Sequence, residues 1–487
     1  MIITLIFSLF GYAIIPCDQI GYNFNFIYCF ILYIISCKLY SCNLLYNFYL
    51  NNSSDNKAIS FRKNLHYNNT NLNKLKMSDS EFNQWLTGFS VGETCFSIII
   101  SNNVISFKFS IKLHFDDKHV LEFIRDRLNC GNVYYFKTAT SYELNRIYDI
   151  KTILIPLFEN FPLNGVKFLD YLSFKKAIEL KENDQLSKDK KLELIRELKN
   201  SMNTKRIDFS MPKSHNINIT PYWFLGLMEG EGSFCLMNSK TFVVCFCISL
   251  ITPQAPLIEA IKEYLGALLI KNSNIKFFTS HEATVAEVES SQIILKKIFY
   301  IHHREKRLEN AKASLELSKR HVQFLAEEFI PMLQNLCFLT KKHKDFLDWA
   351  FIVSLIHAGK HTTDAGQNLI LQISKGMNNK HLSTYKQIDK LEINPKLIDE
   401  VLNMEDVYIK NEEGLKIKAS NHTFVCGQIF YLLAEGSNGE KLVFLNSKAC
   451  ADYFGVSSQT INTRIVSKLS IKNNNNINFI IKRKSML

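Results

Sequence analysis

The sequence predicts an α+β protein built from two similar lobes and a small C-terminal helical module. Three observations carry that expectation. Helix-like sequence running into an apolar strand occurs twice, as FNQWLTGFSVGETCFSIII (Phe82–Ile100) and ITPYWFLGLMEGEGSFCLM (Ile219–Met237). Alternating apolar and polar residues follow the first copy in VISFKFSIKLHF (Val104–Phe115), the period of a half-buried strand. Near the end, LNSKACADYFGVSSQTINTRIVSKL (Leu445–Leu469) reads as two short helices around a glycine.

The bulk properties bound the reading. The chain of 487 residues is long enough for two or three domains with real cores. A formal net charge of +12 fits a nucleic-acid partner without requiring one. Abundant Asn, Ile, Lys, Phe and Tyr point to an AT-rich genome such as a mitochondrial one. The 12 cysteines form no CxxC pair, so a zinc site or disulfide framework is not expected and a reducing compartment is the simpler setting. Residues 1–76 stand apart. Asp18 and Lys38 are the only charges in the first 50 residues, and the apolar runs Met1–Pro16 and Phe24–Ile35 each fall short of a spanning helix. A membrane anchor through residues 1–50, a targeting segment and fused upstream-encoded sequence compete; an import peptide should be Arg-rich and this segment is not, which favours the anchor or the upstream sequence. Residues 51–76 read as a linker.

The repeat carries the chemistry. At one constant offset Trp85 matches Trp223, Gly88 matches Gly226, Gly92 matches Gly230, Glu93 matches Glu231 and Phe96 matches Phe234. Two interior glycines cost each helix about 2 kcal/mol relative to alanine. Spaced four apart they form a stripe without side chains, along which two backbones can approach closely. If the two helices pair side by side, Glu93 and Glu231 converge at adjoining C-termini, where negative charge is unfavourable. A divalent cation with oxygen ligands, Mg²⁺ or Mn²⁺, would relieve it.

LTGFSVGET and FLGLMEGEG resemble the paired motifs of the LAGLIDADG homing endonucleases, in the single-chain, two-lobed form encoded by organelle introns. The resemblance implies two pseudo-symmetric lobes, each an antiparallel DNA-binding sheet with helices, packed through the motif helices. It assigns the metal-binding acid to Glu93 and Glu231. The first copy departs from the pattern: Val91 stands opposite Glu229, and Thr94 replaces the final glycine.

The flanking sequence extends the scheme. Ile105, Phe107, Phe109, Ile111 and Leu113 share one strand face, expected against a core. Ser106, Lys108, Ser110, Lys112 and His114 share the other, suited to phosphates and base edges, though a solvated sheet alternates in the same way. The second copy, TFVVCFCISLI, is too uniformly apolar to assign its faces. Helices are expected over DKHVLEFIRDRL and QAPLIEAIKEYL, and further strands around Asn132–Asp149 and Ile275–Ser290. PLNGVKFLDYLSFKKAIEL (Pro162–Leu180) resembles the family segment whose lysine reaches the scissile phosphate region, which points to Lys167 as catalytic. Its lobe-two counterpart is sought in HHREKRLENAKASLEL, with Lys306 first and Arg304 second.

Matching helical endings at Asn203 and Asn378 set lobe one at 78–203, a basic linker at 204–217 and lobe two at 218–378. Residues 379–420 read as a charged, irregular linker. Residues 421–487 resemble the nuclease-associated modular helix-turn-helix domain. Its second helix would offer Ser458, Gln459, Thr460, Asn462 and Arg464 to a groove. The family resemblance implies a monomeric, mitochondrial, intron-encoded endonuclease that makes double-strand breaks in the intronless host gene and so promotes intron mobility. The alternative is a maturase that binds its own intron RNA and assists its splicing.

Overall fold

The computed structural model describes residues 77–487, apart from 238–240, 269–276, 279–284, 287–298, 306–312, 379–382, 385–392 and 486–487. The N-terminal apolar runs, their linker and Lys306 lie outside the described residues. Among those described, no helix is long and apolar enough to cross a membrane.

Lobe one opens with helix α1 (Asp79–Glu93). Its start is fixed by a reciprocal cap: Glu81 N donates to Ser78 Oγ, and Ser78 N donates to Glu81 Oε2 at 2.8 Å. The chain then runs through β1 (Thr94–Ser101) and β2 (Val104–His114). Asn102 and Asn103, both at positive φ, make the tight turn between them. Helix α2 (Lys118–Leu128), strands β3 (Asn132–Tyr135) and β4 (Ala139–Leu144), and helices α3 (Ile155–Asn160), α4 (Lys167–Glu182) and α5 (Lys188–Asn200) complete the lobe. The sheet is antiparallel in the order β1-β2-β4-β3.

Lobe two repeats this plan. Helix α6 (Pro221–Glu231) leads into β5 (Gly232–Met237), β6 (Val243–Ile251) and α7 (Ala255–Ala267). Strands β7 (Tyr300–Arg304) and β8 (Ser314–Lys319) follow, then α8 (Ile330–Gln334), α9 (Lys342–His357) and α10 (Asp364–Ser374). Its sheet has the matching order β5-β6-β8-β7. The cores also correspond. Phe96 packs 5.3 Å from Phe109 and 5.4 Å from Phe174, while Phe234 packs 5.1 Å from Trp349 and 5.4 Å from Phe346, centroid to centroid. In β2 the alternation holds: Phe107, Phe109 and Ile111 are buried beneath the helices.

Three expectations need correction. Strands do form around Ile275–Ser290, but the third and fourth strands of the lobe-two sheet are β8 and β7 instead. The short strands Phe277–Phe278 and Val285–Ala286 pair with each other, and Phe278 pairs with Phe444 of the C-terminal sheet. Second, the segment read as an irregular linker contains α11 (Pro395–Asn403) and a hairpin, β9 (Tyr408–Lys410) with β10 (Lys416–Lys418). Leu397, Ile398 and Val401 of α11 are buried, an apolar face hidden in a charged stretch. Third, the C-terminal module is more than two helices. Strands β11 (Phe430–Gly436) and β12 (Lys441–Phe444) precede α12 (Ser447–Phe454) and α13 (Ser458–Ser467), and β13 (Ile471–Lys472) and β14 (Asn478–Ser485) follow. Gly455 turns between the helices at φ +64°, and Ser457 caps α13 by accepting from Thr460 N at 3.0 Å. Leu432, Phe444, Phe454, Ile461 and Phe479 share one core.

Candidate active site

Helices α1 and α6 lie against each other along their glycine stripes. A Cβ on Gly88 would sit 1.9 Å from the Trp223 carbonyl oxygen, and one on Gly226 would sit 2.1 Å from that of Trp85. Each glycine thus meets the backbone of the opposite helix, the closeness that only a missing side chain permits. One turn further, Gly92 lies under the Glu231 carboxylate, whose Oε1 would be 2.5 Å from an added Cβ. Gly230 is looser, with its nearest neighbour, Glu93 Cγ, at 3.5 Å.

The two acids therefore meet where the helices end. Both are half-buried. Burial and the charge of Glu231 push Glu93 up to about 7, against the opposing pull of Lys342. Burial raises Glu231 as well, opposed by Lys342 and Lys167. Among the described residues, no group of three or more His, Cys, Asp or Glu could hold a metal ion. Two carboxylates that resist ionising together still suit a hard cation that takes its remaining oxygens from outside the protein.

A lysine flanks each acid. Lys167 Nζ donates to Thr94 O at 2.8 Å, on the residue after Glu93. Lys342 Nζ donates to Gly232 O at 2.7 Å, on the residue after Glu231, and to Gly230 O at 3.1 Å. Both lysines open a helix of 16 residues. Three positions along each helix, Asp170 accepts from Asn203 N at 2.9 Å and Asp345 accepts from Asn378 N at 2.7 Å. Lys342 is therefore the geometric counterpart of Lys167. Arg304 ends β7 and is ion-paired with Glu316 on the neighbouring strand β8. The offset between the motifs leads from Lys167 to Glu305, just after β7. The longer stretch from α7 to β7, Leu268–Phe299 against Asn129–Gly131 in lobe one, changes that offset. The offset relating Asn203 to Asn378 leads from Lys167 to Lys342.

The departure at Val91 has a structural consequence. Glu229 is buried at 4% exposure. It accepts from Trp85 Nε1 at 2.6 Å, Leu339 N at 2.9 Å, Thr340 N at 2.6 Å and Thr340 Oγ1 at 2.8 Å. It thereby ties α6 to the other lobe's motif and to the approach to α9. Burial raises its pKa, opposed by those hydrogen bonds. Val91 cannot accept, and Trp223 Nε1, the partner expected by symmetry, is buried without one. Cross-lobe caps reinforce the pairing: Lys341 N donates to Asp117 Oδ1 at 2.7 Å, and Val166 N lies 3.4 Å from Gln254 Oε1.

The outer face of lobe one carries Ser106, Lys108, Ser110 and Lys112, with Ser106 and Lys112 exposed. Lys108 is paired with Glu143 at 3.3 Å. His114 is more committed: Nδ1 accepts from Asp116 N, and Nε2 lies 3.1 Å from Thr384 Oγ1. In α13, Gln459 is exposed, while Ser458, Thr460 and Arg464 are half-buried. Asn462 Oδ1 accepts from Ser447 Oγ and Arg483 Nη2, which holds it within the module.

Comparison with known proteins adds a family and a fold. The family described as LAGLIDADG endonuclease matches residues 86–178. The uncharacterized mitochondrial protein RF1 of Saccharomyces cerevisiae is 26% identical over 367 residues, covering 73% of this chain and 70% of that protein. The probable intron-encoded endonuclease Cox1-I1b of Schizosaccharomyces pombe is 33% identical over 199 residues, covering 39% of this chain and 50% of the relative. The chain thus spans about half the length of that endonuclease relative. Among solved structures, the meganuclease I-SmaMI bound to uncleaveable DNA superposes with a TM-score of 0.50 at 21% identity, covering 61% of this chain and 97% of that one. That likeness speaks for the fold alone.

Proposed function

Since the chain belongs to the LAGLIDADG endonuclease family, we propose that it is a homing endonuclease of an organelle intron, cutting both strands of a duplex in the intronless host gene. The observation that carries this reading is the meeting of Glu93 and Glu231 at the adjoining ends of two glycine-striped helices, with a lysine beside each.

Glu93 and Glu231 are the residues that would hold a divalent cation, Mg²⁺ or Mn²⁺. When bound, such a cation supplies Lewis acidity toward a phosphate and its leaving oxygen. Lys167 and Lys342 hold the carbonyls that follow the acids, beside the position of a scissile phosphate, and burial lowers the pKa of Lys342 against the pull of the neighbouring acids. Pseudo-symmetry gives each strand of the duplex one acid and one lysine. The outer faces of the two sheets follow the grooves on either side, and Ser106, Lys108, Ser110 and Lys112 supply phosphate and base-edge contacts in lobe one. Ser458, Gln459, Thr460 and Arg464 of the C-terminal module would extend the footprint. A monomer suffices, because one chain contains both halves. Its location is the mitochondrion, in keeping with the relatives' names. No observation favours the maturase alternative.

The test incubates the full chain with duplex DNA spanning the intronless host gene and Mg²⁺, beside Glu93→Gln and Glu231→Gln. Each variant is expected to bind the duplex and to lose cleavage. Cutting by either one at the parent's rate would refute its assignment.

A further inference from the structure

The lobe-two sheet carries a cluster of three thiols on the face turned from its helices. On β6 the core side is Val244, Phe246, Ile248 and Leu250, all buried. Strand alternation puts Cys245 and Cys247 on the opposite side. Across the ladder, Cys235 of β5 pairs directly with Cys245, and Ser233 pairs with Cys247. Directly opposed residues of an antiparallel pair have Cα atoms about 4.5–5.5 Å apart, within the span of a disulfide. All three cysteines are free.

Their chemistry is graded. Cys247 hydrogen-bonds to both other thiols. That bond lowers the pKa of Cys235, and it brings Cys245 down to about 7, with help from the charge of Arg320. Cys235 is half-buried, whereas Cys245 is 3% exposed. The cluster therefore holds a half-buried sulfur whose pKa is lowered, a shielded sulfur directly opposite, and a third thiol beside both. Thiolate character together with access is what selects a cysteine for oxidation.

We propose that Cys235 and Cys245 form a reversible disulfide under peroxide and that the bridge weakens binding of duplex DNA. The Cys235 thiolate attacks one peroxide oxygen. The O–O bond breaks, the other oxygen leaves as water with an added proton, and Cys235 becomes a sulfenic acid. The Cys245 sulfur then attacks Cys235. An S–S bond forms, the S–O bond breaks, and a second water leaves carrying the Cys245 proton. Two thiols and one hydrogen peroxide give one disulfide and two waters, with two electrons passing from sulfur to oxygen. The bridge locks the edge strand β5 to β6 on the face assigned to a DNA groove, so that edge can no longer adjust to the duplex. This effect rests on the nuclease reading, while formation of the bridge does not.

The experiment treats the reduced full chain with hydrogen peroxide. It maps disulfide peptides by mass spectrometry and measures affinity for a mixed-sequence duplex by gel shift. A Cys235–Cys245 peptide should appear together with a loss of about tenfold in affinity, the scale of one lost base-edge contact. Dithiothreitol should reverse both, and Cys235→Ser should abolish both. Cys247→Ser should slow the bridge without preventing it. Absence of the Cys235–Cys245 peptide, an unchanged affinity once it has formed, or equal sensitivity in Cys235→Ser overturns the proposal. Failure of the reduced chain to bind duplex at all would instead count against the nuclease reading.

Discussion

Replacing Glu229 by valine, the residue lobe one carries at the matching position, should destabilise the paired lobes by about 2–3 kcal/mol. Four donors now end on this carboxylate: Trp85 Nε1, Leu339 N, Thr340 N and Thr340 Oγ1. A buried donor left unsatisfied costs about 1–3 kcal/mol, so the lower bound for four is about 4 kcal/mol. Removing the carboxylate recovers part of its desolvation cost, which brings the net loss to about 2–3 kcal/mol. At about 2–4 °C per kcal/mol for a domain of this scale, the thermal midpoint should fall by about 4–12 °C. The reciprocal change, Val91→Glu, brings an acceptor to Trp223 Nε1, which now has none. It should be far better tolerated than its burial at 6% exposure alone would suggest. The assay is thermal unfolding by calorimetry in the presence of reductant. A midpoint for Glu229→Val within about 1 °C of the parent, a small fraction of that expected shift, would show that the hydrogen bonds do not stabilise the lobe pairing.

Other outcomes follow from the same geometry. Lys342→Met and Lys167→Met should each lower the cleavage rate by about 10²–10³-fold with duplex binding retained, the usual effect of losing one transition-state cation or donor; full activity of Lys342→Met in a single-turnover assay would remove it from the site. Gly88→Ala should disrupt folding because its Cβ meets backbone at 1.9 Å, whereas Gly230→Ala meets only ordinary contact at 3.5 Å; equal melting temperatures for the two variants would contradict this packing. Burial alone would raise Glu327, but hydrogen bonds from His357 and Lys410 outweigh it and bring the acid down to about 2. Its contribution is therefore present above its ordinary value of 4.5 and lost as pH falls toward 2, so Glu327→Gln should flatten the dependence of the melting temperature on pH in that window. Affinity for DNA should fall steeply with salt as counterions return to the phosphates, and a flat response in a salt titration by gel shift would argue against a phosphate-dominated interface.

The sequence determined the two-lobed plan, because a helix with glycines four apart and a terminal acid is too costly to occur twice unless the copies pack together. It also determined which strand face is core in lobe one, because alternation has only two outcomes. In the C-terminal module it placed two short helices around a glycine, which the structure identifies as Gly455. Tertiary structure decided what depended on distance along the chain. Lys342 was hidden because the α7–β7 stretch lengthens lobe two and breaks the motif offset, while hydrogen bonding of Asp170 and Asp345 to Asn203 and Asn378 restores the register. The meaning of Val91 was hidden too, since Glu229 acts on Trp85, Leu339 and Thr340, residues far from it in sequence. Local patterns encode elements and faces. The partner of a buried polar group is fixed only when the chain has folded back on itself.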